Sequence, residues 1–320
     1  MDILSKKVVA NSLAPSRHTF GKDLKQYAPF LLMLTPAVIY FLIFNYFPMS
    51  GIILAFKEFN YRLGIFGSPW NGFTNYRFFF LGGAAWRVTR NTLLYNAAFI
   101  VYGNLMQLLV AISLSEMRHL RFKKVTQSLI FLPYFISWVL VGGFVFDIFN
   151  RDYGMYSNLV ASLGFDRPDI YANPNVWPIL IVLIQCWKSV GYGSVIYLAA
   201  ITAIDPSLNE AATIDGANAF QTVRYVTLPC LRPTIITLVL LSIGNIFKGD
   251  YQMFYQLTGD NGLLYNTTDV IDTYVMRSLL RNSDYGMAAA AGTYQSILGF
   301  VFIMTFNGIV KKIEPDYALF

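Results

Sequence analysis

Six long apolar stretches dominate the chain, and each can cross a hydrocarbon layer of about 30 Å as a helix, which takes roughly 20 residues. They run at about Phe30 to Phe56, Asn91 to Ser115, Val125 to Phe149, Val176 to Ile204, Thr234 to Phe254 and Gly286 to Val310. No soluble core of 320 residues could hide them: 55% of the residues are hydrophobic and 13% are charged, against roughly 25% charge in a soluble domain. The pattern predicts an all-α integral membrane protein with six spans. The first stretch is too long for a signal peptide and lacks a small-residue cleavage site, so it is expected to stay as a helix.

Charge between the spans sets the orientation. With the amino terminus inside, the inner segments 1–27, 116–124, 205–233 and 311–320 hold 13 Lys and Arg, and the longer outer segments hold 9. The densest group is Arg118, Arg121, Lys123 and Lys124 in one short loop. By the positive-inside rule both termini are cytoplasmic. Residues 1–27 then form a cytoplasmic segment, 28–310 a six-span domain and 311–320 a cytoplasmic tail. Tyr46, Trp86, Trp177, Lys311 and Lys312 stand at the ends of apolar runs, where rings and ammonium groups anchor at headgroup depth.

Several chemistries are excluded early. Cys186 and Cys230 are too few for a disulfide framework or a thiolate zinc site, and His18 and His119 lie in basic surroundings with no HExxH pattern. No GxxxxGK[ST] run is present, so the chain does not itself cradle nucleotide phosphates. The net charge of +6 is read as orientation, and no nucleic-acid partner is expected. Asn266, Thr267 and Thr268 match an N-glycosylation acceptor pattern, which is given little weight.

The loop between the fourth and fifth spans, Asp205 to Pro233, is far longer than a connection needs. Asp205 suits an N-cap, Pro206 the first helical position, and Ser207 to Ile214 a short helix containing Glu210, Ala211 and Ala212. Asp215 and Gly216 break it, Gly216 being able to adopt the left-handed conformation. A second short helix from about Asn218 places Phe220 and Val223 on one face and is expected to stop at Pro229 and Pro233. Helices this short are marginal alone and need a surface to pack on.

Glu210, Ala211, Ala212, three residues, Gly216, nine residues, then Val226, Thr227, Leu228 and Pro229 resemble the EAA loop of binding-protein-dependent ABC importers. The one departure is Val226 where Ile is usual. LTPAVIYFLIFNYFPMSGIILAFKEFNY and DVIDTYVMRSLLRNSDYGMAAAAGTYQS are similar to sugar-class permeases of the type I importer fold. Within that class they resemble the LplB-like polysaccharide and oligosaccharide branch, where an alginate-oligosaccharide importer is one candidate.

That resemblance implies a non-catalytic subunit of the bacterial inner membrane. Glu210, Ala211, Ala212, Asp215, Gly216, Leu228 and Pro229 would form or shape a surface docking on a separate ATPase subunit. It further implies a second homologous permease chain, two ATPase subunits holding the ATP and Mg, an extracytoplasmic solute-binding protein, membrane lipids around the spans, and a carbohydrate cargo. No cofactor is expected in this chain.

Ionisable groups at membrane depth cost roughly 2.5 to 3.5 kcal/mol each at a helix centre, so each is a functional candidate. Lys188 falls in the expected fourth span, and Lys248 and Asp250 in the fifth. A sugar pathway wants inward polar groups and flat rings. The candidates are Tyr134, Trp138, Gln185, Trp187, Lys188, Tyr192, Asn245, Lys248, Asp250, Tyr251, Tyr294 and Gln295, with Lys188 and Lys248 favouring an anionic cargo. Two alternatives differ in class. An intramembrane aspartyl protease could pair Asp147 with Asp250, although Phe247 to Asp250 lacks the first Gly of GxGD; an ion-coupled secondary transporter would want more buried carboxylates and an internal repeat.

Overall fold

The computed structural model describes the backbone of residues 20–313 and the side chains of residues 27–312. Residues 1–19 and 314–320 lie outside the described residues, and with them most of the expected 1–27 and 311–320 segments. The chain divides into two compact units, one ending at Gly51 and the other beginning at Ile52. The first carries the helix Phe20–Phe41 and a π turn, Leu42–Tyr46, and ends within the 3-10 stretch Phe47–Phe56. Pro48 lacks a backbone N–H, which accounts for the change of helical pitch there. Side chains 27–49 are exposed on every side, as in a helix that meets hydrocarbon all round.

In the second unit the second span, Ala84–Ser115, pairs along its length with the fourth, Trp177–Thr202. Small residues let the helices approach: a Cβ on Gly193 would enter the Gln107 side chain, and one on Gly191 would enter the Ile130 carbonyl of a third helix. Tyr197, fully buried, donates its hydroxyl to Asn104 Oδ1 at 2.9 Å. At one end Ala111, Leu114, Tyr197 and Leu198 close the core. At the other, Trp177, Ile181, Tyr95, Met253, Phe254 and Leu257 do so, with the Trp177 indole donating to the Ile170 carbonyl at 3.0 Å. An ion-pair chain staples the loops at this second end. Asp269, fully buried, meets Arg87 at 3.1 Å and Arg277 at 2.7 Å, and Asp260 meets Arg277 at 3.3 Å and Arg281 at 2.8 Å.

Among the described residues five helices are long and apolar enough to cross a membrane, and a bent pair of helices brings the number to six where the pair counts as one span. Among the described residues the extended structure is one isolated bridge, Lys57 to Trp70. Two expected spans need correction. The third is not continuous from Val125 to Phe149: Leu120–Phe135 and Trp138–Phe149 meet at 94°. Pro133 cannot donate within the helix, and Ser137 starts the next one by accepting from Leu140 N–H at 3.4 Å.

The fifth span is displaced toward the amino terminus. It is one helix over Ala219–Ile243 rather than Thr234 to Phe254, and Tyr251–Thr258 is a separate helix. Pro229 and Pro233 therefore do not stop the second loop helix. A π turn, Val223–Thr227, widens the helix immediately before Pro229, so the missing donor and the bulk of the pyrrolidine ring are absorbed.

Candidate functional site

The 205–233 loop forms a rigid elbow. Asp205 accepts from Ser207 N–H at 2.9 Å, and hydrogen bonding to Ser207 holds its carboxyl below the ordinary 3.8. Pro206–Ile214 follows as the first arm. Its end is a Schellman turn: Ala217 N–H donates to the Ala212 carbonyl at 2.9 Å, Gly216 N–H to the Thr213 carbonyl at 3.1 Å, and Gly216 has φ +79°. No atom lies within 4 Å of a Cβ built on Gly216, so backbone conformation, not space, requires glycine there. The second arm opens on a capping box in which Asn218 and Gln221 bond reciprocally at 2.8 and 2.9 Å.

The elbow's surface is uncovered. Glu210, Ala211, Asp215, Gly216 and Pro229 are exposed, and Ala212 and Leu228 are half-buried, while the buried Thr227 and Leu231 anchor the rod behind them. Ile214 is 86% exposed, Phe220 73% and Tyr225 69%. A cleft of about 420 Å³ is lined by Asn209, Thr213 and Thr222 of the elbow together with Glu116, Lys123 and Thr202. The elbow thus shares one end of the molecule with the basic 116–124 loop.

A second site forms where the broken spans meet. The half-buried Lys188 donates its ammonium to the Tyr134 carbonyl at 2.8 Å and the Pro133 carbonyl at 3.3 Å. The helix ends at Phe135, so the Tyr134 carbonyl lies in its last turn, and the Pro133 carbonyl also accepts from Ile136 N–H at 3.2 Å. The ammonium also lies 5.2 Å from the Trp138 ring centre and 5.7 Å from that of Tyr134. Trp138 Nε1 donates to Asp250 Oδ2 at 2.8 Å. Tyr192 stacks on Tyr134 at 4.6 Å and 12°. Five sequence candidates, Tyr134, Trp138, Lys188, Tyr192 and Asp250, thus come together. Two of the three ammonium donors are used on carbonyls, and a third remains.

Lys248 and Asp250 do not lie in a helical span as expected; they occupy the irregular stretch between Ile243 and Tyr251. Asp250 caps the next helix through Met253 N–H at 3.1 Å. Lys248 is exposed at the edge of a cavity of about 510 Å³ that Asp272 and Gln295 also line. Burial raises the Asp272 carboxyl above the ordinary 3.8, against the lowering effect of hydrogen bonds from Gly249 N–H and Gln295.

Gln185, Tyr192 and Asn245 line another groove, of about 440 Å³, with Asn96, Asn104 and Gln107. Sequence reading missed those three, yet spacings of eight and three residues put Asn96, Asn104 and Gln107 on one face of an apolar helix. The remaining candidates go elsewhere. Tyr294 bonds Thr89 at 3.0 Å and packs on Phe79 and Phe80, Tyr251 stands beside Tyr255, and Trp187 is exposed. Asp147 is nine residues along the helix from Trp138, roughly 13 Å, whereas Asp250 touches Trp138. The two carboxylates therefore do not form a protease pair.

Comparison with known proteins agrees with this architecture. Residues 107–318 match the family described as binding-protein-dependent transport system inner membrane component. Protein LplB of Bacillus subtilis (strain 168) is 33% identical over 285 residues, 89% of each chain. The polygalacturonan/rhamnogalacturonan transport system permease protein YteP of the same organism is 34% identical, over 89% of this chain and 88% of that one. A chain from the crystal structure of a bacterial ABC transporter involved in import of the acidic polysaccharide alginate superposes with a TM-score of 0.83 at 32% identity, covering 92% of this chain and 99% of its own. A chain of such a transporter in complex with an alginate pentasaccharide-bound periplasmic protein gives 0.81 at 32%, covering 91% of this chain and 97% of its own. Five to six apolar candidate spans, a capped elbow carrying the EAA pattern and these likenesses across most of both chains lead to one conclusion: the chain belongs to the inner membrane permeases of binding-protein-dependent ABC sugar transport systems.

Proposed function

We propose that this chain forms half of the translocation pathway of an ATP-driven importer for an acidic oligosaccharide or polysaccharide. It pairs with a second, homologous permease chain and receives cargo from an extracytoplasmic solute-binding protein. The 205–233 elbow seats on one of two ATPase subunits, which hold the ATP and Mg. The assembly sits in the bacterial inner membrane with both termini cytoplasmic. The observation that carries the reading is the elbow itself: a stiff, doubly capped turn whose apolar tip, Ile214, is 86% exposed. With Phe220 and Tyr225 also exposed on the same rigid mount, the elbow offers several bare apolar side chains, which suits a protein partner.

The cargo reading is supported by the Lys188 cluster and by the alginate importer that the chain resembles. Rings offer flat faces for sugars, and an ammonium without a carboxylate in hydrogen-bond contact suits a uronate. Glu210, Ala211, Ala212, Asp215, Gly216, Leu228 and Pro229 are assigned to coupling. Tyr134, Trp138, Gln185, Lys188, Tyr192, Asn245, Lys248 and Asp250 are assigned to the pathway. In the assembled transporter, Glu210→Lys or Gly216→Trp abolishes uptake and solute-stimulated ATP hydrolysis while membrane insertion is unchanged. Stimulated hydrolysis persisting in both variants overturns the coupling role.

A further inference from the structure

The stretch 244–250 is irregular backbone at the end of an apolar span, where each N–H and C=O must find a protein partner. Backbone turns meet some of these groups, and side chains from three different helices meet three more. Asn96 Nδ2 donates to the Lys248 carbonyl at 3.0 Å, Gln295 Nε2 to the Phe247 carbonyl at 2.7 Å, and Gly249 N–H donates to the Asp272 carboxylate at 2.6 Å. Gln295 Nε2 also donates to the same Asp272 oxygen at 2.8 Å, so these two residues act as a unit. The fit is tight: a Cβ on Gly249 would stand 3.0 Å from both Asp272 Oδ2 and Val270 Cγ2, so it would push on the clamp itself. The next residue is Asp250, which meets Trp138, whose ring meets Lys188.

We propose that Asp272 is the positioning residue of the solute pathway: by clamping Gly249 N–H it sets Asp250 against Trp138, and so sets the ring beside which Lys188 rests. The inference deepens the proposed function and rests on its assignment of the Lys188 cluster to the solute. Asp272 acts through Gly249, since its Oδ2 is taken up by Gly249 N–H and by Gln295. It therefore governs how well an acidic oligosaccharide is held, and leaves the coupling elbow alone.

The test uses the assembled transporter in proteoliposomes, measuring uptake of an oligouronate and of a neutral oligosaccharide of equal length. Asp272→Ala raises KM for the oligouronate about tenfold, the effect of losing one charge-assisted hydrogen bond, while kcat changes less than about twofold. Asp272→Asn, which keeps an acceptor oxygen, recovers most of that loss. Because the clamp acts through Trp138, Asp272→Ala combined with Trp138→Phe is no worse than the worse single variant. A normal KM in Asp272→Ala, or additive losses in the pair, overturns the proposal. If Asp272→Ala does not assemble, Gly249→Ala decides: a raised KM supports the clamp and a normal one overturns it. Failure of the underlying assignment has another signature, normal oligouronate uptake by Lys188→Ala.

Discussion

The Trp138 indole N–H reaches Asp250 across 2.8 Å and so joins the two places where apolar spans are interrupted, the 94° corner after Phe135 and the irregular stretch after Ile243. Each interruption leaves backbone groups that a straight helix would satisfy. The Lys188 ammonium takes up the carbonyls of the first, and Asn96, Asp272 and Gln295 take up groups of the second. The polar cluster therefore supports both breaks, and it is the same cluster that the proposed pathway assigns to the solute.

Replacing Trp138 with Phe keeps the ring but deletes its donor, leaving Asp250 Oδ2 without that partner. Uptake falls about tenfold, in line with the loss of a hydrogen bond to a charged group. Assembly with the partner subunits, followed by co-purification, is unchanged.

Lys188→Ala lowers uptake of acidic oligosaccharides by about tenfold or more and of neutral ones by less than about threefold. Initial rates of uptake of labelled cargo measure both. Equal losses for the two cargoes assign Lys188 to support of the Pro133 and Tyr134 carbonyls alone.

At Gly216 the open space around the backbone separates strain from clash. Gly216→Ala must take φ +79° with a side chain and costs the turn about 1 kcal/mol. Gly216→Asn, which tolerates the left-handed region, costs less. Solute-stimulated ATP hydrolysis then ranks wild type, Asn, Ala, and last a β-branched Val.

Two neighbouring glycines of the fourth span give opposite expectations. A Cβ at Gly193 meets the flexible end of Gln107, which can swing aside, whereas one at Gly191 meets the Ile130 carbonyl and the Phe131 backbone, which cannot. Gly191→Ala destabilises by about 1 to 3 kcal/mol and Gly193→Ala by less. Thermal unfolding of the purified protein in detergent compares them.

Asp272 gives stability a pH slope. Its carboxyl in the fold sits above the ordinary 3.8 because it is buried. As pH rises past 3.8 the unfolded chain releases this proton first, so the folded chain holds more protons and loses stability until Asp272 has itself ionised. Asp272→Asn flattens that part of the curve, read as unfolding temperature against pH.

Local punctuation was legible in the amino-acid order. Asp205, Pro206, Gly216 and Asn218 each act on atoms within five residues, and the elbow follows from them. The breaks were not legible. Pro229 and Pro233 read as stops until the π turn ahead of them is known, and Lys248 and Asp250 read as helical because their stretch is apolar. What holds that stretch open comes from Asn96, Asp272 and Gln295, up to 152 residues away. The Lys188 cluster was half legible: its members stood out as polar or aromatic groups at membrane depth, but their convergence depends on the corner at Ile136.

The rod Ala219–Ile243 makes the loop end and the Gly244 end of the fifth span one solid body of 25 residues, about 37 Å long. A tilt of only about five degrees, pivoting at the loop, swings the Gly244 end sideways by about 3 Å, the scale on which a hydrogen bond is made or lost. Small rotations imposed at the loop end thus suffice to re-sort the contacts of Asp250, and no large folding event is called for.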